Sequence, residues 1–315
     1  MNLKALQTFY LIVREGSLAA AALKLNLSQP AVSRLVRVLE DETRLTLFSR
    51  SRRRLVLTRE GEMFFREAHY ILQGVDEIPR IARDIRKKAI AHLRIVTGPP
   101  IGVSLVAPAV ARLKEKHPDV HCVTDIGSRF ELESMVGTRH YDLGIVSLPI
   151  SHSLVQLQTK TLCRARLVAL IPAANPLSEA ARLTAADLKS EPLITLRPGQ
   201  LWRDRADDFF RAGAVTPEYG IETRSTLMAS ALVASGAGIA VMDKVVGGLG
   251  LTQGTVAVPL APERWVEYGI VMPTGQVLHE SARAFVETLY ETIGLMAAAD
   301  GKPALVQLVE PVAAG

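Results

Sequence analysis

Gln29, Ser33, Arg34 and Arg37 recur on one side of a segment whose other side carries Val32, Leu35, Val36 and Leu39. Amide and hydroxyl side chains can read base edges, and guanidinium groups can grip guanine or phosphate, so the chemistry on offer is contact with a nucleic-acid duplex. Ser28 suits the N-cap of this segment, and Pro30 fits a first turn whose amides have no helical acceptor. The apolar set, continued by Leu45, falls at helical spacing and turns the polar row outward, near a helix N-terminus that favours anions. A major groove admits such a helix. Read one residue at a time, a plainer alternative stands beside this one. Ser28 would be only a cap, and Arg34 and Arg37 would form a solvated face with Glu40 and Asp41.

The neighbouring elements must hold that helix in place. Leu18 to Leu25 is a run of strong helix formers with Ser17 as its cap, and Asn26-Leu27 break it. Asn2 to Arg14 forms an opening helix whose stripe Leu3, Leu6, Phe9, Tyr10 and Val13 covers the pair behind it. Arg50, Arg52, Arg53 and Arg54 sit between the strand-like segments Leu45 to Phe48 and Leu55 to Leu57, which predicts a basic hairpin lying along phosphates. Thr58 then caps a long helix that has Glu60 and Glu62 in its first turn.

The charge distribution agrees. Residues 1–60 hold 11 Lys and Arg against 5 Asp and Glu, a balance of +6, while the whole chain of 315 residues carries only +5. A basic first segment followed by a nearly neutral remainder implies a polyanion-binding module joined to something else. At 48% apolar residues the chain can build proper cores for two domains. Cys122 and Cys163 are too few for a disulfide framework and lack metal-ligand spacing, so a reducing compartment, the cytoplasm, is expected. Lys4, Arg14 and Glu15 interrupt any secretory stretch, and the charge-free segments 95–111, 225–242 and 245–262 carry Gly, Pro or polar residues. They read as buried elements, so no membrane partner is expected. No HExxH or GxSxG motif occurs, seven histidines are scattered, and Gly236-Ala237-Gly238 stops a helix before a strand, the reverse of a dinucleotide turn. Neither an enzyme, a cofactor nor a metal is therefore expected.

Phe64, Ala68, Ile71, Val75, Ile78, Ala82 and Ile85 repeat as an a/d seam, flanked by the charged Arg66, Glu67, Arg80, Arg83, Arg86 and Lys87. This predicts a helix paired with a second helix, with Pro79 as a kink or break. From Leu93 the pattern alternates strand and helix. Leu93–Thr97, Val120–Ile126 and Leu143–Ser147 read as strands, with helices over 101–116 and 130–136, which predicts a parallel sheet covered by helices. A second alternating block runs from Leu167 to Met242, with helices over 185–188, 203–212 and 227–235. Strands near Val256 and over 268–272 and a helix over 280–293 return the chain. Residues from about Ala298 are weakly patterned, so a loose tail is expected.

Met1 to Thr58 resembles the winged helix-turn-helix of LysR-type transcriptional regulators. The resemblance rests on Leu3, Phe9, Ser17, Ala19 to Ala22, Leu27-Ser28-Gln29-Pro30-Ala31-Val32-Ser33, Leu39-Glu40, Leu47-Phe48-Ser49-Arg50 and Leu57-Thr58-Arg59-Glu60-Gly61. It implies an N-terminal all-α winged helix-turn-helix with a long linker helix, then a C-terminal α/β two-lobed domain similar to type 2 periplasmic binding proteins. It also implies that Gln29, Pro30, Ser33 and Arg34 touch bases and that the hairpin touches backbone; Ser28, Arg37, Arg50, Arg52, Arg53, Arg54 and Thr58 complete the expected DNA-facing set. The implied domains are 1–58 for DNA, 59–90 as a dimerising linker helix, 91–298 for effector binding and 299–315 as the tail. Within the third, lobe 1 takes about 91–163 and 268–298 and lobe 2 about 164–267, with crossings near Leu162 to Arg166 and Trp265 to Gly269.

In a two-lobed α/β module a ligand belongs beyond the carboxyl ends of the strands. That rule selects Thr97, Pro99, Pro100 and Ile101 after the first strand, Ser128 after the second and Ser147 after the third, with Thr195, Arg197 and Arg203 in the second lobe. The resemblance adds that the positions of Pro100, Ser128 and Ser147 line an effector site. Two arginines near small hydroxyls suit a carboxylate-bearing metabolite, and residues 193–212 and 222–243 look most like family members that sense amino acids or opines. Structural roles remain open for each: Ser128 and Ser147 as turn caps, Arg197 and Arg203 as partners of Asp204, Asp207 or Asp208. The implied partners are promoter DNA as a duplex, a small-molecule effector, further copies of the chain as a homodimer or homotetramer, and RNA polymerase. Two rivals stand: a small-molecule receptor or enzyme whose basic N-terminus serves another end, and a DNA binder indifferent to ligand.

Overall fold

The computed structural model describes residues 2–51, 54–76, 78, 92–127, 131–132, 135–136, 141–150, 157–247, 254–299 and 304–309. It divides into two compact units, Met1–Ala89 and Ile90–Gly315.

In the first unit the helix ends follow local capping. α1 (Leu3–Glu15) starts at Asn2, whose side chain accepts from the Lys4 amide, and ends at Gly16 in the left-handed region. α2 (Leu18–Leu25) is capped by the Ser17 hydroxyl and closed by Asn26 at φ 51°. α3 (Gln29–Thr43) is capped by Ser28, with Pro30 in its first turn. Ala5, Leu6, Phe9, Leu39 and Leu47 form one buried cluster, and Ile12, Ala21, Ala22, Val32 and Val36 form the other.

A two-stranded hairpin follows, β1 (Phe48–Ser51) paired antiparallel with β2 (Arg54–Leu57). The first strand was expected over Leu45 to Phe48; it starts instead at Phe48. Glu40 reaches back from α3 and accepts from the amides of Leu47 (2.8 Å) and Phe48 (3.2 Å), which removes those amides from any earlier ladder. α4 (Arg59–Asp76) begins beside Thr58. The expected seam divides along this helix. Ala68 is wholly buried and Phe64 half-buried in the first unit's own core, where Leu72 is buried instead of Ile71. Ile71 and Ile78 are 40% and 59% exposed. Pro79, Ala82, Ile85 and the charged positions from Arg80 to Lys87 lie outside the described residues.

Gly61 marks the tightest junction of this unit, because a Cβ there would stand 2.2 Å from the Leu47 carbonyl oxygen. Gly61→Ala must separate the hairpin from α4, at about 1–3 kcal/mol of overpacking. A lowered first melting transition in calorimetry checks this; an unchanged one refutes it.

The second unit is a mixed sheet in the order β4-β3-β5-β11-β6-β9-β7-β8, with β10 and β12 also on β6. In lobe 1, β3 (His92–Thr97) pairs parallel with β4 (His121–Ile126) and with β5 (Leu143–Leu148). In lobe 2, β7 (Leu193–Leu196) pairs parallel with β8 (Tyr219–Thr223) and with β9 (Ile239–Asp243). β6 (Leu157–Pro172) spans both lobes. Its first half pairs antiparallel with β11 (Trp265–Pro273) and its second half with β9 and with β10 (Thr255–Pro259). The two crossings expected near 162–166 and 265–269 are these strands. The parallel expectation holds among β3, β4 and β5 and among β7, β8 and β9, and fails for β6, β10 and β11, which pair antiparallel.

The helical run after β3 starts earlier than expected. α5 (Pro99–Ile101), a π-helical turn over Gly102–Val106 and α6 (Ala107–Lys116) follow one another. Lobe 2 carries α7 (Leu201–Ala212) after β7, α8 (Thr226–Ala234) after β8 and α9 (Lys244–Gly247) after β9. The helix expected at 185–188 is a series of turns, in which Asp187 accepts from both the amide and the hydroxyl of Thr184. α10 (Glu280–Ala299) returns to lobe 1. The loose tail is also corrected: β12 (Val306–Leu308) adds antiparallel to β6, with Leu305 and Val306 buried. The expected helix over 130–136 falls mostly outside the described residues, of which 131, 132, 135 and 136 are helical.

Candidate nucleic-acid face and ligand cleft

On α3 the polar row is exposed as its spacing predicts. Gln29, Pro30, Arg34 and Arg37 are exposed and Ser33 half-buried, while Val32, Val36 and Leu39 are buried against α1 and α2. Ser28 Oγ accepts from the Ala31 amide (3.4 Å), so the cap and the outward row occupy the same helix start. The plainer alternative gave Arg34 and Arg37 to Glu40 and Asp41. Glu40 instead turns inward to the hairpin amides, and among the described residues neither arginine has an ion-pair partner. An exposed pair of guanidinium groups without ion-pair partners among the described residues is free to meet an anion.

Thr58 behaves differently. Its hydroxyl donates to the carbonyls of Thr46 and Leu47 and accepts from the Gly61 amide (2.9 Å). That hydroxyl is committed to closing the hairpin onto α4, so Thr58 is a clasp and not a phosphate contact. Arg52 and Arg53, and the side chains of Arg50 and Arg54, lie outside the described residues.

In the second unit two cavities meet at Pro99, Pro100 and Trp202. The smaller, about 90 Å³, is apolar, with Ile101, Leu132, Val146 and Ile150 on its walls and Ser147 at its edge. The larger, about 300 Å³, is polar on its lobe 2 side, where Gln200, Arg224, Ser225 and Thr226 stand. Such a volume reaches the lower end of the range for small-molecule sites.

Of the expected ligand residues, Pro99, Pro100, Ile101 and Ser147 line these cavities. The others do not. Thr97 is 1% exposed and its hydroxyl donates to the Ile145 carbonyl (2.8 Å), locking β3 to β5. Thr195 is buried with its hydroxyl against the Tyr219 phenol. Arg203 pairs with Asp207 (2.8 Å) and Glu222 (2.6 Å) and lies over the Tyr219 ring at 4.3 Å, away from the cleft. Burial, reinforced by Asp207, raises the Tyr219 phenol well above its ordinary pKa and keeps it a neutral donor to that carboxylate. Arg197 is exposed and lines neither cavity; Ser128 lies outside the described residues.

The turn at Gly98 offers few amides to an anion, since two of its first three helical residues are prolines without an N–H. The first turns of α7 and α8, which do carry free amides, line the larger cavity instead. Gln200 precedes α7, donates from Nε2 to the Arg224 carbonyl (3.2 Å) and keeps its Oε1 buried without a partner among the described residues. Ser225 caps α8 through the Met228 amide (3.3 Å). Gln200, Trp202, Arg224, Ser225 and Thr226 were missed from sequence. Carrying the carboxyl-end rule on to β8 selects the last three; nothing local to Trp202 marks it.

The two units thus define a DNA-binding regulator class: a capped helix-turn-helix with hairpin, and a two-lobed α/β module with a cleft. Family models agree with both parts, a bacterial regulatory helix-turn-helix protein of the lysR family over residues 3–62 and a LysR substrate binding domain over residues 87–294. The chain belongs to the LysR family and is a LysR-type transcriptional regulator, not an enzyme. It is 28% identical over 298 residues to the regulatory protein NocR of Agrobacterium fabrum, covering 92% of this chain and 99% of that one. It is 28% identical over 265 residues to the transcriptional activator LysR of Escherichia coli, covering 82% and 85%. It is 26% identical over 243 residues to the octopine catabolism/uptake operon regulatory protein OccR of Rhizobium meliloti, covering 77% and 80%. In fold it is similar to full-length CbnR complexed with its target DNA, with a TM-score of 0.63, 18% identity and coverage of 93% of this chain and 100% of that one. LysR regulators bind DNA and small-molecule effectors and form oligomers. Among the described residues no helix is long and apolar enough to cross a membrane, and no group of three His, Cys, Asp or Glu side chains could hold a metal.

Proposed function

We propose that this regulator reads promoter DNA with the Gln29–Arg37 row of α3 and responds to a small carboxylate-bearing metabolite in the cleft of its second unit. The observation that supports the first part is the row itself, on the outer side of α3, capped at Ser28 and without ion pairs among the described residues. Gln29, Ser33 and Arg34 then meet base edges, and Arg37 with Arg50, Arg52, Arg53 and Arg54 meets backbone. Residues 1–58 carry the DNA contact, 59–90 the dimerising helix and 91–298 the effector response, within the cytoplasm. A dimer places two such helices in grooves about 10 base pairs, or a multiple of that, apart. Tetramer formation and contact with RNA polymerase extend the same reading.

The cleft supports the second part. Two helix N-termini, Arg224, Ser225 and the unpartnered Gln200 Oε1 suit a carboxylate beside an ammonium donor, the pairing found in amino acids and their opine derivatives. The similarity to OccR, whose name refers to octopine, agrees with that chemistry. A ligand that binds one lobe arrangement better than another shifts the population of that arrangement.

Thermal-shift measurement on the full chain with amino acids, octopine and aromatic acids tests the proposal. A ligand at 100 times its Kd adds about 2.7 kcal/mol, a rise of about 5–10 °C for a domain of this size. Arg224→Ala should weaken that ligand about tenfold or more, the loss of a charge-assisted bond. No shift with any of these acids sinks the effector half of the proposal.

A further inference from the structure

Behind the cleft stands a carboxylate that neither the DNA face nor the ligand contacts use. Asp243, the last residue of β9, is fully buried. Its Oδ1 accepts from the amides of Val245 (2.9 Å) and Val246 (3.2 Å) in α9, which fix the group to the backbone. Its Oδ2 accepts from the Trp202 indole Nε1 (2.5 Å) and from the Tyr268 hydroxyl (2.8 Å). An indole N–H can only donate, so this acceptor fixes how the ring lies. Burial holds the Asp243 carboxyl pKa above its ordinary value, and the four donors offset only part of that rise.

Trp202 is also, with Pro99 and Pro100, one of the three residues that line both cavities. On one side are Gln200, Arg224 and Ser225, and on the other Ile101, Val146 and Ile150. A molecule using both compartments has to place a polar, anionic end on the first side and an apolar end on the second, and crosses where Trp202 stands with Pro99 and Pro100. The apolar side holds about 90 Å³. A dry cavity of about 150 Å³ takes a benzene ring, so the smaller space takes a short aliphatic group.

We propose that Trp202 is a partition that selects acids with a short aliphatic part over acids with an aromatic one, and that Asp243 is the positioning residue that sets this partition. The inference rests on the proposed ligand role of the cleft and narrows it to aliphatic amino acids and acids of similar shape. Asp243 touches no ligand. Its Oδ2 holds the ring, while Tyr268, on a strand that pairs with Ser147 and Cys163, ties the same oxygen to the crossing between the lobes.

Trp202 and Trp265 are the two tryptophans of the chain, so Trp265→Phe leaves Trp202 as the sole indole reporter. In that background the full chain is titrated with L-valine, L-leucine, L-phenylalanine, succinate and octopine, reading both emission and thermal shift. L-leucine should bind about tenfold or more tighter than L-phenylalanine, the usual reach of apolar-pocket discrimination. Trp202→Ala should reverse that order, with Trp202→Phe as the milder variant should the alanine chain not fold. Asp243→Asn leaves an amide NH₂ facing donors on one side or the other. It should bring the two affinities within about threefold while moving Trp202 emission to the red and raising its acrylamide quenching. Tyr268→Phe keeps the Trp202 bond and should leave the order unchanged. A merely structural Asp243 would lower the melting temperature of Asp243→Asn without altering order or emission, and that result overturns the proposal. Binding of octopine or succinate without L-leucine or L-valine overturns the partition but keeps a ligand-responsive cleft; no binding of any acid overturns both.

Discussion

Arg34→Ala is expected to lose about 1–3 kcal/mol of discrimination between a promoter site and random duplex, a change of roughly 5- to 150-fold, while keeping most of its affinity for random DNA. The reason is positional. Arg34 is exposed on α3, six residues from the Ser28 cap, and among the described residues no acid holds it. Arg53→Ala is expected to act in the opposite manner, weakening every sequence alike and reducing the salt slope by about one. Anisotropy titrations of both variants on specific and random duplexes over a range of salt separate the two. Equal losses on every sequence would abolish the division between base and backbone roles.

Phe9→Ala should have the largest effect on stability. Phe9 is 0% exposed, and its ring lies 5.5 Å from Phe48, 5.5 Å from Phe64 and 6.3 Å from Phe65, so it joins α1 to the hairpin and to α4 at once. Truncating a buried phenylalanine costs about 3–5 kcal/mol, comparable with the whole stability of a small domain. The expected result is loss of binding to all DNA, specific and random, with the transition of the second unit retained in calorimetry. Phe9→Leu should keep most of both. A Phe9→Ala chain that binds promoter DNA normally would show that the aromatic cluster does not hold the reading helix in place.

The part of the fold that could be read from sequence is the part governed by neighbours within a turn or two. Ser17, Asn26, Ser28 and Gly16 act on amides and carbonyls three or four residues away, so the limits of α1, α2 and α3 follow from residue type. The exposed row on α3 followed for the same reason, since helical period alone turns Gln29, Arg34 and Arg37 away from Val32, Val36 and Leu39. The strand expected over 45–48 failed because the deciding group, Glu40, reaches its target amides from seven and eight residues away on another element. β12 was read as tail because its partner, β6, lies more than a hundred residues earlier.

The cleft shows the limit most plainly. Sequence identified the residue types a carboxylate site needs and the strand ends where they belong, and it selected Arg203 over Arg224. Two acids decide that choice, Asp207 on the next turn and Glu222 across on β8, which together draw Arg203 away from the cavity. By itself the sequence determined the helix-turn-helix, the local basicity and the alternating two-lobed layout, because caps, periodicity and charge are properties of short windows of chain. Only the tertiary structure decided which arginine lines the larger cavity and that Trp202 borders both cavities. It also decided that a buried aspartate holds that indole, because each depends on groups brought together from distant strands by the long β6 and β11 crossing.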